Sequence, residues 1–589
     1  MKQFFKMMFA SAFGVLLAAG ILVALAFSML VGIAATWSGT PSYTPEERTV
    51  LKIRLDGTLV DSAEENPLAA FIGEEESTLS LRDLLAAIRV AREDSRVVGI
   101  YLESGVLSSG SASLGAIRDA LTDFKASGKF VVAYGDLFTQ GNYYLCSVAD
   151  KIFLNPQGLL ELSGIAAQTM FYKDLLAHLG IEMQIFRVGT YKSAVEPFML
   201  DRMSDASREQ IQSYVTVIWK NITEGIAASR SISEETVQAY ANQGHSFSDP
   251  TVAIEKGLID ALKYRSEAED YVRELAGQSG HALRTATVAQ INTSRSSSLN
   301  PGDACIAVLY AEGEIMDTEA NDFYDMEKCI STHVIEELAR LREDDGVKAV
   351  VFRINSPGGS AYLSEQIWHQ VVELRKKKPV VVSMGDVAAS GGYYIACAAN
   401  RIIAEPNTLT GSIGIFGVFP NAAGLFDKIG LSTEVVKTNA FSDLGNLSRP
   451  MTESEKTLIQ GYVERGYRTF LTRCADGRNM PLEAVDKIAQ GRVWTGEQAL
   501  EIGLVDALGG IDTAIRTAAE LAEIDSYEVM PVSGSKSFWE ELWTSPLGEV
   551  RSTIAREVLG EEFTYYRALR QAKANMGLYA RLPFNVRPL

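Results

Sequence analysis

An internal duplication constrains this chain more than any other feature of its sequence. Shifted by 250 residues, Ala91-Arg92-Glu93-Asp94 falls on Leu341-Arg342-Glu343-Asp344. Without a gap, Gly135-Asp136 falls on Gly385-Asp386, Gly141-Asn142-Tyr143-Tyr144 on Gly391-Gly392-Tyr393-Tyr394, and Gly180 on Gly430. The two copies are not chemically equal. At the same offset Ser390 meets Gln140, Lys192 meets Ser442, and Ser356-Pro357-Gly358-Gly359 meets Val106-Leu107-Ser108-Ser109. A duplicated unit has divided its chemistry: the second copy keeps a candidate nucleophile and the first a candidate base.

Short apolar runs in both copies read as strands, at Val50–Gly57 and Cys305–Gly313, Val97–Leu102 and Val347–Ile354, Phe130–Tyr134 and Val380–Met384. Helical periodicity lies between them, over Leu81–Arg92 and Val334–Arg342. Strands alternating with helices at this spacing predict repeated β-α units around a largely parallel sheet, an α/β fold. The chain of 589 residues is too long for one core. It divides into an N-terminal stub and anchor (1–45), a first repeat (46–291), a polar Ser/Gly/Pro-containing linker (292–303), a second repeat (304–532) and a tail (533–589). The tail has no counterpart in the first repeat, and a helix is expected in it around Leu547–Met576.

A net charge of −19 argues against nucleic-acid binding, which needs a basic face to neutralise phosphates. The five cysteines are scattered, with no C-x-x-C pair and no metal-ligand spacing to histidine, so neither a disulfide framework nor a metal site is expected. At the N-terminus Lys2 and Lys6 precede an uncharged stretch, apolar from Phe9 to Ala35. About 20 such residues span a bilayer, and a cleaved signal has an apolar core of only about 7–15. A transmembrane helix with lipid contact through residues 7–37 is therefore expected. The lysines ahead of it predict a cytoplasmic N-terminus and a single-pass bacterial inner-membrane protein with its body outside the cytoplasm.

Serine is a weak nucleophile until a neighbouring base takes its proton. The five histidines are His178, His245, His281, His333 and His369, and none follows Ser390. His369, on the predicted helix after Ser356-Pro357-Gly358-Gly359, is the one that invites consideration as a base; a partly exposed helix position explains it more plainly. The nucleophile elbow G-x-S-x-G is absent, because Ala388 holds its first glycine position. Lysine can replace histidine where burial lowers its pKa, and Lys192 lies among small or aromatic uncharged neighbours in Val188-Gly189-Thr190-Tyr191-Lys192-Ser193-Ala194. The Gly391 amide, at the start of a helix, can face a developing oxyanion. The glycines of Ser356-Pro357-Gly358-Gly359 let a second amide approach the same point.

The stretch Gly385–Gly417, with Ser390-Gly391-Gly392-Tyr393-Tyr394-Ile395-Ala396 and Leu409-Thr410-Gly411-Ser412-Ile413-Gly414-Ile415-Phe416-Gly417, resembles the signal peptide peptidase A (protease IV) family. Gly189-Thr190-Tyr191-Lys192-Ser193-Ala194 matches that family's lysine motif. The resemblance implies tandem Clp-protease/crotonase-like domains behind an N-terminal transmembrane helix. It implies a serine endopeptidase with Ser390 as nucleophile, Lys192 as general base, Ser412 orienting the lysine, and an oxyanion hole of Gly391 with Gly358 or Gly359, Gly358 being favoured. It further implies cleaved signal peptides as substrates, a homotetramer, and no cofactor or metal. A catalytically silent scaffold and a crotonase-type acyl-CoA enzyme are the rival readings, and the intact Ser390, Lys192 and glycine turns weigh against both.

Overall fold

Strands buried on both faces must be apolar almost throughout, and the two copies each supply a set of them. The structure, a computed structural model, describes residue 14 and residues 43–63, 78–280, 282–295, 304–316, 329–534 and 577–581. In the first half the strands Thr49–Val60, Val97–Ser108, Phe130–Phe138 and Lys151–Leu160 pair in parallel in that order. In the second half Ala304–Glu312, Val347–Ser356, Val380–Ala389 and Arg401–Ala404 repeat the order. Each predicted strand is present, and Thr49–Val60, Val97–Ser108, Phe130–Phe138 and Val380–Ala389 run three to six residues past the predicted end. Backbone pairing continues where hydrophobicity stops, which is why the sequence pattern shows only the leading part of these.

The connecting helices Leu81–Glu93 and Thr332–Glu343 both begin at a serine whose hydroxyl accepts a first-turn amide: Ser80 from Asp83 and Ser331 from His333. A third, mixed sheet is built from both halves. Glu182–Arg187 of the first half pairs with Phe416–Asn421 of the second. Gly577–Arg581 pairs with Phe416–Val418 on one side and with Gly358–Ser360 on the other. The cores interlock as well: Val387, Ala389, Leu409 and Val493 of the second half belong to the apolar cluster of the first, and Phe186 to that of the second.

One boundary differs from expectation. The segment read as a linker from 292 begins inside a helix, Val288–Arg295, where the Asn292 side chain donates to Asp83 O at 2.9 Å. The first repeat thus extends to Arg295, because a polar sequence with a buried Ile291 can still dock one face. The second repeat closes with the strand Tyr527–Ser533, paired in parallel with Ala304–Glu312. Of the tail only Gly577–Arg581 is described, and the expected helix over 547–576 lies outside the described residues. The membrane expectation is corrected: among the described residues no helix is long and apolar enough to cross a membrane. A single-pass inner-membrane placement is therefore not supported, and the stretch on which it rested, 7–37, lies outside the described residues.

Charged pairs bolt the halves together. Asp61, at the end of the first half's leading strand, accepts from Arg353 Nη2 at 2.8 Å and Nε at 3.1 Å, with both side chains 3% exposed. Arg353 Nη1 also donates to Ser383 Oγ and Met384 O. Burial alone would push the guanidinium towards deprotonation, but the Asp61 charge outweighs it and raises its pKa. A second bolt is Asp386, which accepts from both the amide and the hydroxyl of Ser113 across the same seam. Removing one member of a buried pair leaves an uncompensated charge at a cost of about 3–5 kcal/mol. Asp61→Ala is therefore expected to lower stability by about that amount in urea unfolding, and Asp61→Leu with Arg353→Met should recover most of it. A double variant as unstable as the single one would contradict this account.

Candidate active site

A serine aimed out of a strand end needs a sharp turn, and that turn is present here without the usual glycine pattern. Ser390 ends the strand Val380–Ala389 and precedes the short helix Gly391–Ala396 with φ 57° and ψ −114°, a strained backbone for a residue with a side chain. Its amide donates to Gly411 O at 2.8 Å, which pins the turn. In the first half the corresponding Gln140 begins an ordinary helix capped by Thr139, and its side-chain oxygen accepts from the amides of Ser163 and Gly164. The strain is kept only in the copy that carries the hydroxyl.

Lys192 arrives from the other half. It is the central residue of a tight turn, φ −74° and ψ 76°, in which the Ser193 amide donates to Tyr191 O at 2.8 Å, the geometry of an inverse γ-turn. The Tyr191 amide donates to Gln490 O of the second half. The lysine side chain is fully buried, and its Nζ lies 2.7 Å from Ser390 Oγ, 3.0 Å from Ser412 O and 3.1 Å from Ser412 Oγ. Two glycines make room for it. A Cβ on Gly491 would stand 2.6 Å from Lys192 Cα and Cβ, and one on Gly414 would stand 3.1 Å from Cδ. Gly491 was not singled out in the sequence, because a glycine that yields space to a residue some 300 positions away leaves no local pattern.

Burial holds the Lys192 amine well below the ordinary lysine pKa. A neutral amine has two donors and one lone pair. It can give both hydrogens to Ser412 O and Oγ while its lone pair faces the Ser390 hydroxyl. Ser412 holds its carbonyl and hydroxyl on that side with φ 50°, and its amide donates to Arg492 O at 2.7 Å. The side chains expected from sequence, Ser390, Lys192 and Ser412, thus meet at one point. His369 is exposed on the helix Ala361–Arg375, and no bond joins it to Ser390.

The glycine turns converge on the same point. A Cβ on Gly391 would sit 3.1 Å from both Gly358 Cα and Gly359 N. The Gly358 amide, favoured from sequence, already donates to Ser356 Oγ at 3.1 Å. That bond leaves the Gly359 amide as the better-placed partner of Gly391. Gly358 and Gly359 have φ of 97° and 157°, which a side chain would resist. A serine, a buried amine of lowered pKa and two convergent glycine turns are groups that can serve acyl transfer as nucleophile, base and anion stabiliser.

Comparison with known proteins agrees with this chemistry. The model of peptidase family S49 matches residues 123–279 and 372–525, one segment in each repeat, and that of Clp protease matches residues 307–410. The chain is 36% identical to Protease 4 of Salmonella typhi, covering 90% of this chain and 88% of that protein. It is 34% identical to Protease 4 of Haemophilus influenzae, covering 84% and 82%. It is 33% identical to the chloroplastic serine protease SPPA of Arabidopsis thaliana, covering 86% and 74%. With tandem Clp-protease-like domains and relatives of this extent, the chain belongs to peptidase family S49, the signal peptide peptidase A (protease IV) family, and is a serine-type peptidase.

Proposed function

We propose that the enzyme is an endopeptidase working through a Ser390/Lys192 dyad, and the 2.7 Å contact between Lys192 Nζ and Ser390 Oγ carries the reading. Ser390 Oγ attacks the scissile carbonyl carbon as its proton passes to the neutral Lys192 amine. The oxyanion is held by the amides of Gly391 and Gly359. Collapse breaks the C–N bond, the departing nitrogen takes the proton from Lys192, and water, deprotonated in turn by the same amine, releases the acyl group. Ser412 keeps the amine aimed throughout.

The substrates are extended, largely apolar peptides, cleaved signal peptides among them. The strand Gly577–Arg581 supports this reading, since it runs antiparallel between Gly358–Ser360 and Phe416–Val418, beside the nucleophile turn. A backbone that fits those two edges is the shape a peptide substrate would adopt. A homo-oligomer is proposed as well. Met170 and Leu175 of the first half and Leu431 and Val436 of the second are more than half exposed, with Val436 at 97%, on segments that meet where the Leu425 amide donates to Gly180 O, and a second copy would cover them. Sizing by light scattering tests it, and a monomer at micromolar concentration would refute it.

Ser390→Ala and Lys192→Ala should each abolish cleavage of an apolar reporter peptide without altering the size of the protein. The double variant should lose little more than either single one, since groups acting as a unit are not additive. Activity above a few per cent in Lys192→Ala would remove the lysine from the mechanism. The active form is the neutral amine, so kcat/KM should rise with pH through one ionisation lying below the ordinary lysine value of about 10.4.

The same amine makes a stability prediction. Folded, it loses its proton at a lower pH than unfolded, so between those two values the unfolded chain holds the extra proton and stability rises with pH. Lys192→Met should therefore be inactive yet melt at a higher temperature than the parent. The gap should be widest at acid pH and close towards alkaline pH. A gap independent of pH would show that folding leaves the pKa of this amine unshifted.

A further inference from the structure

A dyad split between two halves needs something that fixes one half's turn against the other half's strand. One side chain makes that connection at the lysine. Gln210 lies near the start of the long helix Asp205–Arg230 and is fully buried. Its Nε2 donates to Tyr191 O at 3.0 Å and to Ser193 Oγ at 2.9 Å, the residues on either side of Lys192. Its Oε1 accepts from the Val493 amide of the second half at 3.1 Å. Val493 stands opposite Gly411 in the antiparallel pair Leu409–Gly411 with Val493–Thr495, and the next link, Arg492 O, takes the Ser412 amide. One amide group therefore joins both flanks of the base to the strand pair that leads into the base's own acceptors.

The orientation of that amide is fixed by its partners. Reversed, the NH₂ would face the Val493 N–H and the oxygen would face Tyr191 O, so both contacts would turn repulsive. The surrounding charges brace the same turn. Arg187 Nη1 donates to Lys192 O at 3.2 Å and pairs with Glu196, while Arg492 stacks on Tyr191 and pairs with Glu209. The γ-turn itself has one strong internal bond, Ser193 N to Tyr191 O. The carbonyl that accepts that bond is also the one Gln210 holds.

We propose that Gln210 is a positioning residue of this enzyme, holding the Lys192 turn against the strand pair that leads into Ser412 so that the amine stays buried and within reach of Ser390. This rests on the dyad reading given above. Gln210 touches neither substrate nor the reacting atoms; it acts through the lysine. Replacing its amide with a thioether of similar length keeps the volume and removes all three bonds. A displacement of the base by about 1 Å is enough to lower the rate about 100-fold. It would also loosen the seal around the amine, so that its pKa climbs back towards the ordinary lysine value.

The test compares Gln210→Met, Ser193→Ala and Ser213→Ala with the parent, in the full chain, on a reporter peptide. Ser213 lies on the same helix and accepts from Gln498 Nε2 at 3.0 Å, an inter-half bond remote from the lysine, and serves as the control. Gln210→Met should lose about 100-fold in kcat with KM changed little, and its pH profile should shift to the alkaline side. Ser193→Ala should shift in the same direction by less, and it decides the matter if Gln210→Met does not fold. Ser213→Ala should leave kcat and the pH profile unchanged. A parental pH profile in both Gln210→Met and Ser193→Ala overturns the proposal, as does an equal shift in Ser213→Ala. The outcome is separable from that of the dyad: active Ser390→Ala or Lys192→Ala would refute the dyad, whereas inactive dyad variants beside an unshifted Gln210→Met refute the positioning role alone.

Discussion

The burial of one amine governs the rest of this structure. Lys192 is fully buried, and a charged amine resists losing its water strongly, so burial lowers its pKa. The enclosure therefore has to be complete, and no single half provides it. The walls come from both: the γ-turn and Gln210 from the first half, Gly414, Gly491, Ser412 and Ser390 from the second. Interlocked cores, the mixed sheet and the Asp61–Arg353 pair are what make such a tight fit between two repeats stable.

The duplication also explains the form of the unused site. In the first half the place of the nucleophile is filled by a glutamine bonded to two loop amides, and Asn142, in the position of Gly392, donates to Leu55 O, Ser104 Oγ and Gly105 O. Polar side chains there tie down loops that in the second half are held by Gly391 and Gly392 packed against Gly358, Gly359 and Ser356. Where the second copy has the strained serine and a glycine, the first has side chains that make structural hydrogen bonds. Relief of the φ 57° strain found at Ser390 belongs to the same exchange.

Much of this was legible in the sequence because the repeat supplied an internal comparison. Ser390, Lys192 and the Ser356–Gly359 turn stood out as differences between copies, and the strand and helix order followed from apolar periodicity. What stayed hidden depends on contacts between distant positions. Gln210 and Gly491 belong to no motif, and the Asp61–Arg353 pair joins residues almost 300 positions apart. Spacing cannot show that the Gly358 amide, favoured from sequence, already donates to the nearby Ser356 hydroxyl. The helix through Asn292–Arg295 was hidden by its polar composition, although its buried face needs only Ile291 and one side-chain bond.

The distribution of the site along the chain has a consequence for its synthesis. A ribosome releases the lysine first, and the first repeat can then begin to fold while the serine is still unmade. The strained turn at Ser390 follows some 200 residues later, and the Val493 strand that closes the lysine's enclosure later still. Until that strand has emerged and docked, the growing polypeptide holds both Lys192 and Ser390 but not the complete enclosure around the amine. On the proposed dyad, catalytic competence would come only with the docking of the second repeat, as the last event of folding rather than an early one.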